Sequence, residues 1–413
     1  MPAAVPHAGS APAVAAPPSP TVSPTAPPED VTPPLVPLYA YLAQVPDHRG
    51  RRGRRHPLLA MLAQMLCALL CGAPHLQAIC DWGVDQDPEL RTRLGYSRDT
   101  APCRATWHYC LEEMNWAALE AQIRAWVAAV EAQLQEQDPL RTEAALAVDG
   151  KTLRGALKMD AEVTQMVTAL GHRLGLTAGA AEVQEGHEIA AVQALLAQVV
   201  VEGKVVTLDA LHTQRQTAQQ LGDAGGDYLM TVKGNQPELL AAVEDCFAPH
   251  RAPDQDRASA EEKDDGHGRH EHRWLVAVSL SEESAPVLQA WPHARQVFVV
   301  RRRVWRARKQ EWREEVAFGI TSLDREQAGP AELLRLNRGH WQIENRSHWV
   351  RDVTFREDAG LVRTGKSAQT LALCRTVVLS RLRLEGVTNI ARELRRLAAR
   401  PLESLRLLGI PDN

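Results

Sequence analysis

Cysteine offers this chain no covalent frame. Its seven cysteines (67, 71, 80, 103, 110, 246 and 374) form an odd set without a CxxC pair. That pattern argues against a disulfide framework and for reduced thiols in a cytosolic protein. Cys67 and Cys71 stand at helical i, i+4 spacing with Cys80 nearby, but no matching His/Cys pair is close, so buried thiols are set against a zinc site. Long apolar runs are also missing. The longest, Leu58–Ala73, falls short of the roughly 18–20 residues of a membrane span. It starts too far from the N-terminus, and lacks the cleavage site, for a secretory signal. A buried core helix and a cytoplasmic location are expected. Overall positive charge is lacking, the formal net charge being −4, so any nucleic-acid surface has to be local. Residues 1–34 have almost no charge and no aromatics. Such a Pro/Ala-rich stretch buries too little surface to offset its ordering entropy and is expected to be a disordered tail.

What remains is an ordinary globular composition, 45% hydrophobic and 24% charged, in a chain of 413 residues with room for two or three domains. The rest is organised around Ala144–Gly155, AALAVDGKTLRG. Five small or branched apolar residues without polar alternation predict a strand buried on both faces, with a short buried helix as the alternative. The run ends on Asp149 beside a glycine, where a carboxylate either caps a turn or holds a cation. Lys204–Ala210, KVVTLDA, repeats the design and ends on Asp209.

Ahead of this region, residues 35–138 read as a helical N-terminal domain. It holds DHRGRRGRRHP, with five arginines in seven positions (Arg49, Arg51, Arg52, Arg54 and Arg55). That run is either a solvated loop or a phosphate-contacting arm. From residue 139 strands alternate with helices in the order β-β-β-α-β-α-β-α, the order in which an RNase H-like mixed sheet is laid down. Residues 248–272 read as a polar loop whose His267, His270 and His272 invite a metal reading. Three strands over 274–322 then suggest a β-rich insertion at about 248–328. On one of them Arg301, Arg303 and Trp305 share a face, forming a strip for phosphates and a base or a charge-protected edge. Last come basic C-terminal helices. α-Helical spacing there puts His340, Glu344, His348 and Arg351 on one stripe, more often a solvated ion-pair face.

In an RNase H-like sheet the first and fourth strands are neighbours, so Asp149 and Asp209 would meet, and a late helix could add Glu344. Three convergent carboxylates suit two Mg²⁺ ions about 3.5–4 Å apart, with Mn²⁺ as a substitute. The stretches VPDHRGRRGRRHPL, AVDGKTLRGA, VVTLDALHTQ, GGDYLMTVKGNQP, GHGR and RGHWQIENRSHWVRDVTFREDA run in this order. In them the chain resembles bacterial insertion-sequence transposases of the DDE type, in the branch containing the H-repeat-associated proteins. The resemblance covers about Leu35 to the C-terminus. It implies an RNase H-like catalytic core over 139–413, with Asp149, Asp209 and Glu344 as the metal-binding triad. It further implies cleavage of transposon ends by water and strand transfer by the freed 3′-hydroxyl. The partner would be double-stranded DNA, bound by a homodimer in a nucleoid-associated, cytoplasmic setting. A silent DNA-binding descendant and a metal-dependent nuclease are the alternatives. DNA contacts are expected from the arginine run, Lys151, Arg154, His212, Lys233, Asn235, Arg301, Arg303, Arg346, His348 and Arg351. Trp341 would stack on an unpaired base or lie buried.

Overall fold

Ala145–Val148 runs through the middle of a large mixed sheet in the computed structural model. The structure describes residues 35–138, 143–154, 164–248, 257–266, 269–306, 310–360, 362 and 364–411. The expected disordered tail, residues 1–34, lies outside them. The strands are β1 (Ala145–Thr152), β2 (Gln165–Gly171), β3 (Thr177–Val183), β4 (Val205–Leu208) and β5 (Asp227–Val232), then β6 (Ala258–Gly266), β7 (Arg269–Ser279), β8 (Gln296–Arg306) and β9 (Glu311–Thr321). Their order across the sheet is β3-β2-β1-β4-β5-β9-β8-β7-β6. β1 is antiparallel to β2 and parallel to β4, and β4 is parallel to β5.

Alternation along the strands decides what each face carries. Val148, Val206 and Leu208 pack with Val192 and Leu195 of the Glu188–Leu196 helix and with Ala218 and Leu221 of the Arg215–Asp223 helix. Ala145 points the other way, to a cluster containing Leu333, Leu334 and Leu336 of the Pro330–His340 helix. β1 is therefore buried on both faces, as its unbroken apolar run predicts.

The Leu58–Leu70 helix is buried at nearly every position. It packs against Ser367–Leu384 and Pro401–Leu408, while Trp116–Gln137 packs on β3. The helices of 38–137 thus share contacts with the C-terminal helices, and residues 36–413 form one compact unit. No described helix is long and apolar enough to cross a membrane.

Two expectations are corrected. Residues 258–266 and 269–272 are not a loop: β6 and the start of β7 occupy them, His267 lies outside the described residues, and all four later strands extend the same sheet. β6 reads ASAEEKDDG and carries four acidic residues, which hid it as a strand. Its charges are met from both sides. Glu262 and Asp264 pair with Arg338, while Glu261 and Asp265 pair with His272 and His270. The second correction concerns the late helix. After His340 the winding loosens into π-helical turns over Ile343–His348 and Val350–Thr354, so α-helical spacing no longer describes its faces.

Candidate active site

Val148 of β1 is level with Leu208 of β4 in the parallel register. Asp149 and Asp209 follow them at the same end of adjacent strands. Alternation turns both carboxylates toward the face of Ala145, Ala147 and Thr207, the side covered by the Pro330–His340 helix and its π-helical continuation. Ile343 is fully buried against Ala147 and Leu170. That contact docks the continuation on β1 and leaves its neighbour Glu344 exposed at the same end of the sheet.

The turn after Asp209 is held from several directions. The His212 N–H donates to Asp209 Oδ1 at 3.2 Å, so this aspartate also caps its turn. Thr213 Oγ1 donates to the Asp209 and Thr231 carbonyls at 3.0 and 2.6 Å, and Asn235 Nδ2 donates to the Ala210 carbonyl at 2.7 Å. His212 is buried, with Nε2 3.1 Å from Glu188 Oε1. Glu188 also lies directly over Gly150, where a Cβ would collide with its carboxylate. Glu188 therefore touches both strand ends, a role the sequence reading missed. Its only signal is its place at the first turn of a helix beside the sheet.

Burial pushes the Asp149 carboxyl up to about 7. The Gly150 N–H works against this, and the Asp209 and Glu344 carboxylates add to it. The three groups thus feel one another electrostatically. Among the described residues no Lys or Arg ion-pairs with any of them. The nearest basic group to Asp149 is His348, its Nδ1 3.7 Å from Asp149 Oδ2, and burial pushes that imidazole down to about 3, leaving it neutral. Hard oxygen donors, mutually repelling and without a Lys or Arg partner, fit a divalent cation, with the His212 ring 3.9 Å from Asp209 Oδ1 also beside them. Among the described residues no three His, Cys, Asp or Glu side chains already stand at ligating distance, so an ion would draw these carboxylates together. The same holds for the cysteines: burial raises Cys71 and Cys80 to about 11, so they are protonated, apolar-like groups.

The stripe expected from α-helical spacing divides. Glu344 is exposed and His348 faces Asp149, while His340 Nδ1 turns inward to Thr207 Oγ1 at 3.1 Å. Arg351 is completely buried on Glu357. The structure accordingly moves four residues off the expected DNA-facing set. His212, buried against Glu188, and Arg351 are two of them. Lys151 is buried, its Nζ 2.6 Å from Asp352 Oδ1. Arg49 is buried, bonded to Asp47 at 2.9 Å and to the His56 carbonyl at 2.8 Å. Lys151, Arg49 and Arg351 are each held by a carboxylate, Asp352, Asp47 and Glu357. Arg346 is half-buried and donates to the His172 and Arg173 carbonyls, both at 3.2 Å. Arg54 donates to the Arg49 carbonyl at 2.6 Å but keeps about half its surface, 52%, in solvent.

Exposed positions remain at Arg51, Arg52, Arg55, Arg154, Lys233, Asn235, Arg301 and Arg303. Arg303 lies 5.2 Å over the exposed Trp312 ring, which also meets Trp305 at 5.6 Å. Trp341 is exposed rather than buried. It lines an open groove between β6–β9 and the Pro330–His340 helix that ends at Glu344. Arg302 and Arg338 in that groove are paired with Glu271, Glu315, Glu262 and Asp264.

Known proteins match this layout from both ends of the chain. Residues 143–380 match the family described as Transposase DDE domain, and residues 39–127 match one described as DDE_Tnp_1-associated. A relative in Escherichia coli O157:H7, named "Putative transposase YncI", is 27% identical over 84% of this chain and 87% of its own. The "H repeat-associated putative transposase YhhI" of Escherichia coli K12 is 26% identical over 87% of this chain and 94% of its own. Among solved structures, a chain in the cryo-EM structure of a piggyBac transposase synaptic complex with hairpin DNA aligns over 90% of this chain and 77% of that one. Its TM-score is 0.38 at 9% identity, a likeness too distant to carry an argument.

Proposed function

From the premise that this chain belongs to the family of transposase DDE domains, we propose that it cuts DNA at insertion-sequence ends and joins the freed ends to new DNA. Asp149, Asp209 and Glu344 are the residues that hold its divalent ions. The observation that carries this reading is the parallel pairing of Val148 with Leu208, which sets two aspartates side by side on the face where Glu344 arrives. The strand order β3-β2-β1-β4-β5 supports an RNase H-like core. Residues 35–138 would be its DNA-binding partner region, and β6–β9 its insertion.

Two Mg²⁺ ions at these oxygens would make a bound hydroxyl a better nucleophile and stabilise the leaving oxygen. The chain's own residues do the placing. Asp209 is fixed by its turn, Asp149 by its strand, and Glu344 by the burial of Ile343. In the first step water adds to phosphorus, the P–O3′ bond breaks and the 3′-oxygen takes up a proton. In the second, that 3′-hydroxyl attacks another phosphodiester and displaces its 3′-oxygen, so one P–O bond forms for each broken. Arg51, Arg52, Arg55, Arg154, Lys233, Arg301 and Arg303 supply phosphate contacts, and Trp341 a stacking face beside Glu344.

The test uses the full chain, Mg²⁺ and duplexes carrying the terminal repeats that flank the gene. Cleavage and joining should be lost in Asp149→Ala and Glu344→Ala. Cleavage unchanged in those variants removes the triad. Stable cleavage without joining makes the protein a nuclease, and no cleavage at all makes it a DNA-binding protein of transposase descent.

A further inference from the structure

We propose that the ion pair between Lys151 and Asp352 is a clamp that sets the separation of Asp149 and Glu344. Both are then positioning residues for the cation site. The inference rests on the reading of Asp149, Asp209 and Glu344 as the ion-holding groups.

Lys151 Nζ donates to both oxygens of Asp352, at 2.6 and 2.8 Å, across 201 residues of sequence. The lysine side chain is 7% exposed and the aspartate 35%. Two residues along β1 from Asp149, Lys151 shares its face. On the π-helical stretch His348 and Asp352 are four residues apart and four and eight beyond Glu344. A step of two on the strand therefore meets a step of four on the helix. His348 stands against Asp149 at 3.7 Å, and Asp352 against Lys151. Glu344 is the next step of four, toward the strand end where Asp209 lies. The segment is also anchored on its far side, where Arg351 donates to Glu357 at 3.1 and 2.7 Å. With both sides fixed, the clamp determines where along β1 the helix sits.

Stability alone is a poor reason for this pair. Burying an ammonium costs about as much as its partner returns, and an apolar contact of equal volume stabilises as well. Two directed hydrogen bonds add something an apolar contact lacks, a single register. A slip of the helix by one residue would break both bonds and carry Glu344 away from Asp149.

Lys151→Met is the least disruptive probe. It removes the buried charge and leaves Asp352 with access to water. Mn²⁺ binding to the full chain would be read from the free-ion electron paramagnetic signal, with thermal unfolding as a check on folding. Glu344→Gln identifies the binding that belongs to the site. Lys151→Met should weaken that binding about tenfold or more, the usual effect of removing an outer-shell partner. Lys151→Arg, which keeps charge and donors, should recover most of it. If Lys151→Met does not fold, Asp352→Asn carries the same expectation. Mn²⁺ binding that Glu344→Gln weakens but folded Lys151→Met or Asp352→Asn leaves within twofold of wild type overturns the clamp alone. Binding that Glu344→Gln does not change overturns the cation site and the clamp with it.

Discussion

Arg351, with no exposed surface, donates from Nε and Nη2 to the two oxygens of Glu357, and Arg375 Nη1 adds a third bond at 3.3 Å. Burial pushes the Glu357 carboxyl up, but the two guanidiniums outweigh it and hold the group below the usual carboxylate range. A depressed carboxyl contributes stability that is complete above its unfolded pKa, about 4.3, and is lost as pH falls through the lower folded value. Glu357→Gln should therefore cost about 3–5 kcal/mol at neutral pH, because two buried guanidiniums lose their counter-charge. It should also flatten the loss of stability below about pH 4. Urea unfolding of both proteins across pH 3–7 checks this. Parallel pH profiles would show that the pair does not govern acid stability.

Ile343 should matter beyond its size. Its side chain is fully enclosed between Ala147 and Leu170 and docks the helix that carries Glu344. Ile343→Val should cost about 0.5–1.5 kcal/mol and Ile343→Ala about 2–5 kcal/mol. The alanine variant should lose more Mn²⁺ affinity than any equally destabilising change in the Leu58–Leu70 helix. Equal affinity in the two would remove the docking role from Ile343.

Much of this arrangement was legible in the residues. Two short, mostly apolar runs ending in Asp149 and Asp209 read as buried strands of one sheet or short buried helices, and the crossover pattern between them favoured neighbouring parallel strands. Glu344 was legible as a third candidate carboxylate on a late helix, and only the resemblance put it in the triad, because its docking depends on Ile343 meeting Ala147 about 200 residues away. β6 was hidden because its acidic residues look like loop until Arg338, His270 and His272 stand opposite them. The π-helical turns were hidden because nothing in GHWQIENRSHWVR departs from an α-helical pattern. The sequence leaves open whether Lys151 touches DNA or braces a carboxylate, and it does not reveal that folding buries Lys151, Arg49 and Arg351 against Asp352, Asp47 and Glu357.

Thr207 connects three elements behind the site. Its Oγ1 lies 3.0 Å from His172 Nε2, 3.1 Å from His340 Nδ1 and 3.2 Å from the Leu146 carbonyl. Thr207→Val should cost about 1–3 kcal/mol for each ring nitrogen left unpaired, and Thr207→Ser much less. Burial pushes His172 down to about 3, so it stays neutral in the fold. The unfolded chain takes up its proton near pH 6.5, so stability falls as pH drops below that value, by about 1.4 kcal/mol per unit until about pH 3. His172→Gln should lower that slope by about 1.4 kcal/mol per pH unit, leaving the like contribution of His348, whose imidazole is also pushed down to about 3, and the Glu357 contribution at lower pH. An unchanged slope between pH 6 and 5 would place the proton uptake elsewhere.

Asp149 should carry the opposite sign. Its carboxyl is raised to about 7 by burial and by the Asp209 and Glu344 carboxylates. The fold therefore favours the neutral acid, and stability falls as pH rises through the window from about 3.9 to about 7. At pH 8, without divalent ions, the full penalty applies. Asp149→Asn should then be more stable than wild type by on the order of a few kcal/mol, and so unfold at a higher temperature. Mn²⁺ narrows the gap. At a hundredfold excess over its Kd it should stabilise wild type by about 2.7 kcal/mol, and the variant, lacking one of the three charges, by much less. Thermal melts at pH 5 and pH 8, with Mn²⁺ and with a chelator, separate these contributions. An asparagine variant less stable at both pH values, or equally stabilised by Mn²⁺, would mean that the repulsion among the three carboxylates is not what a cation relieves.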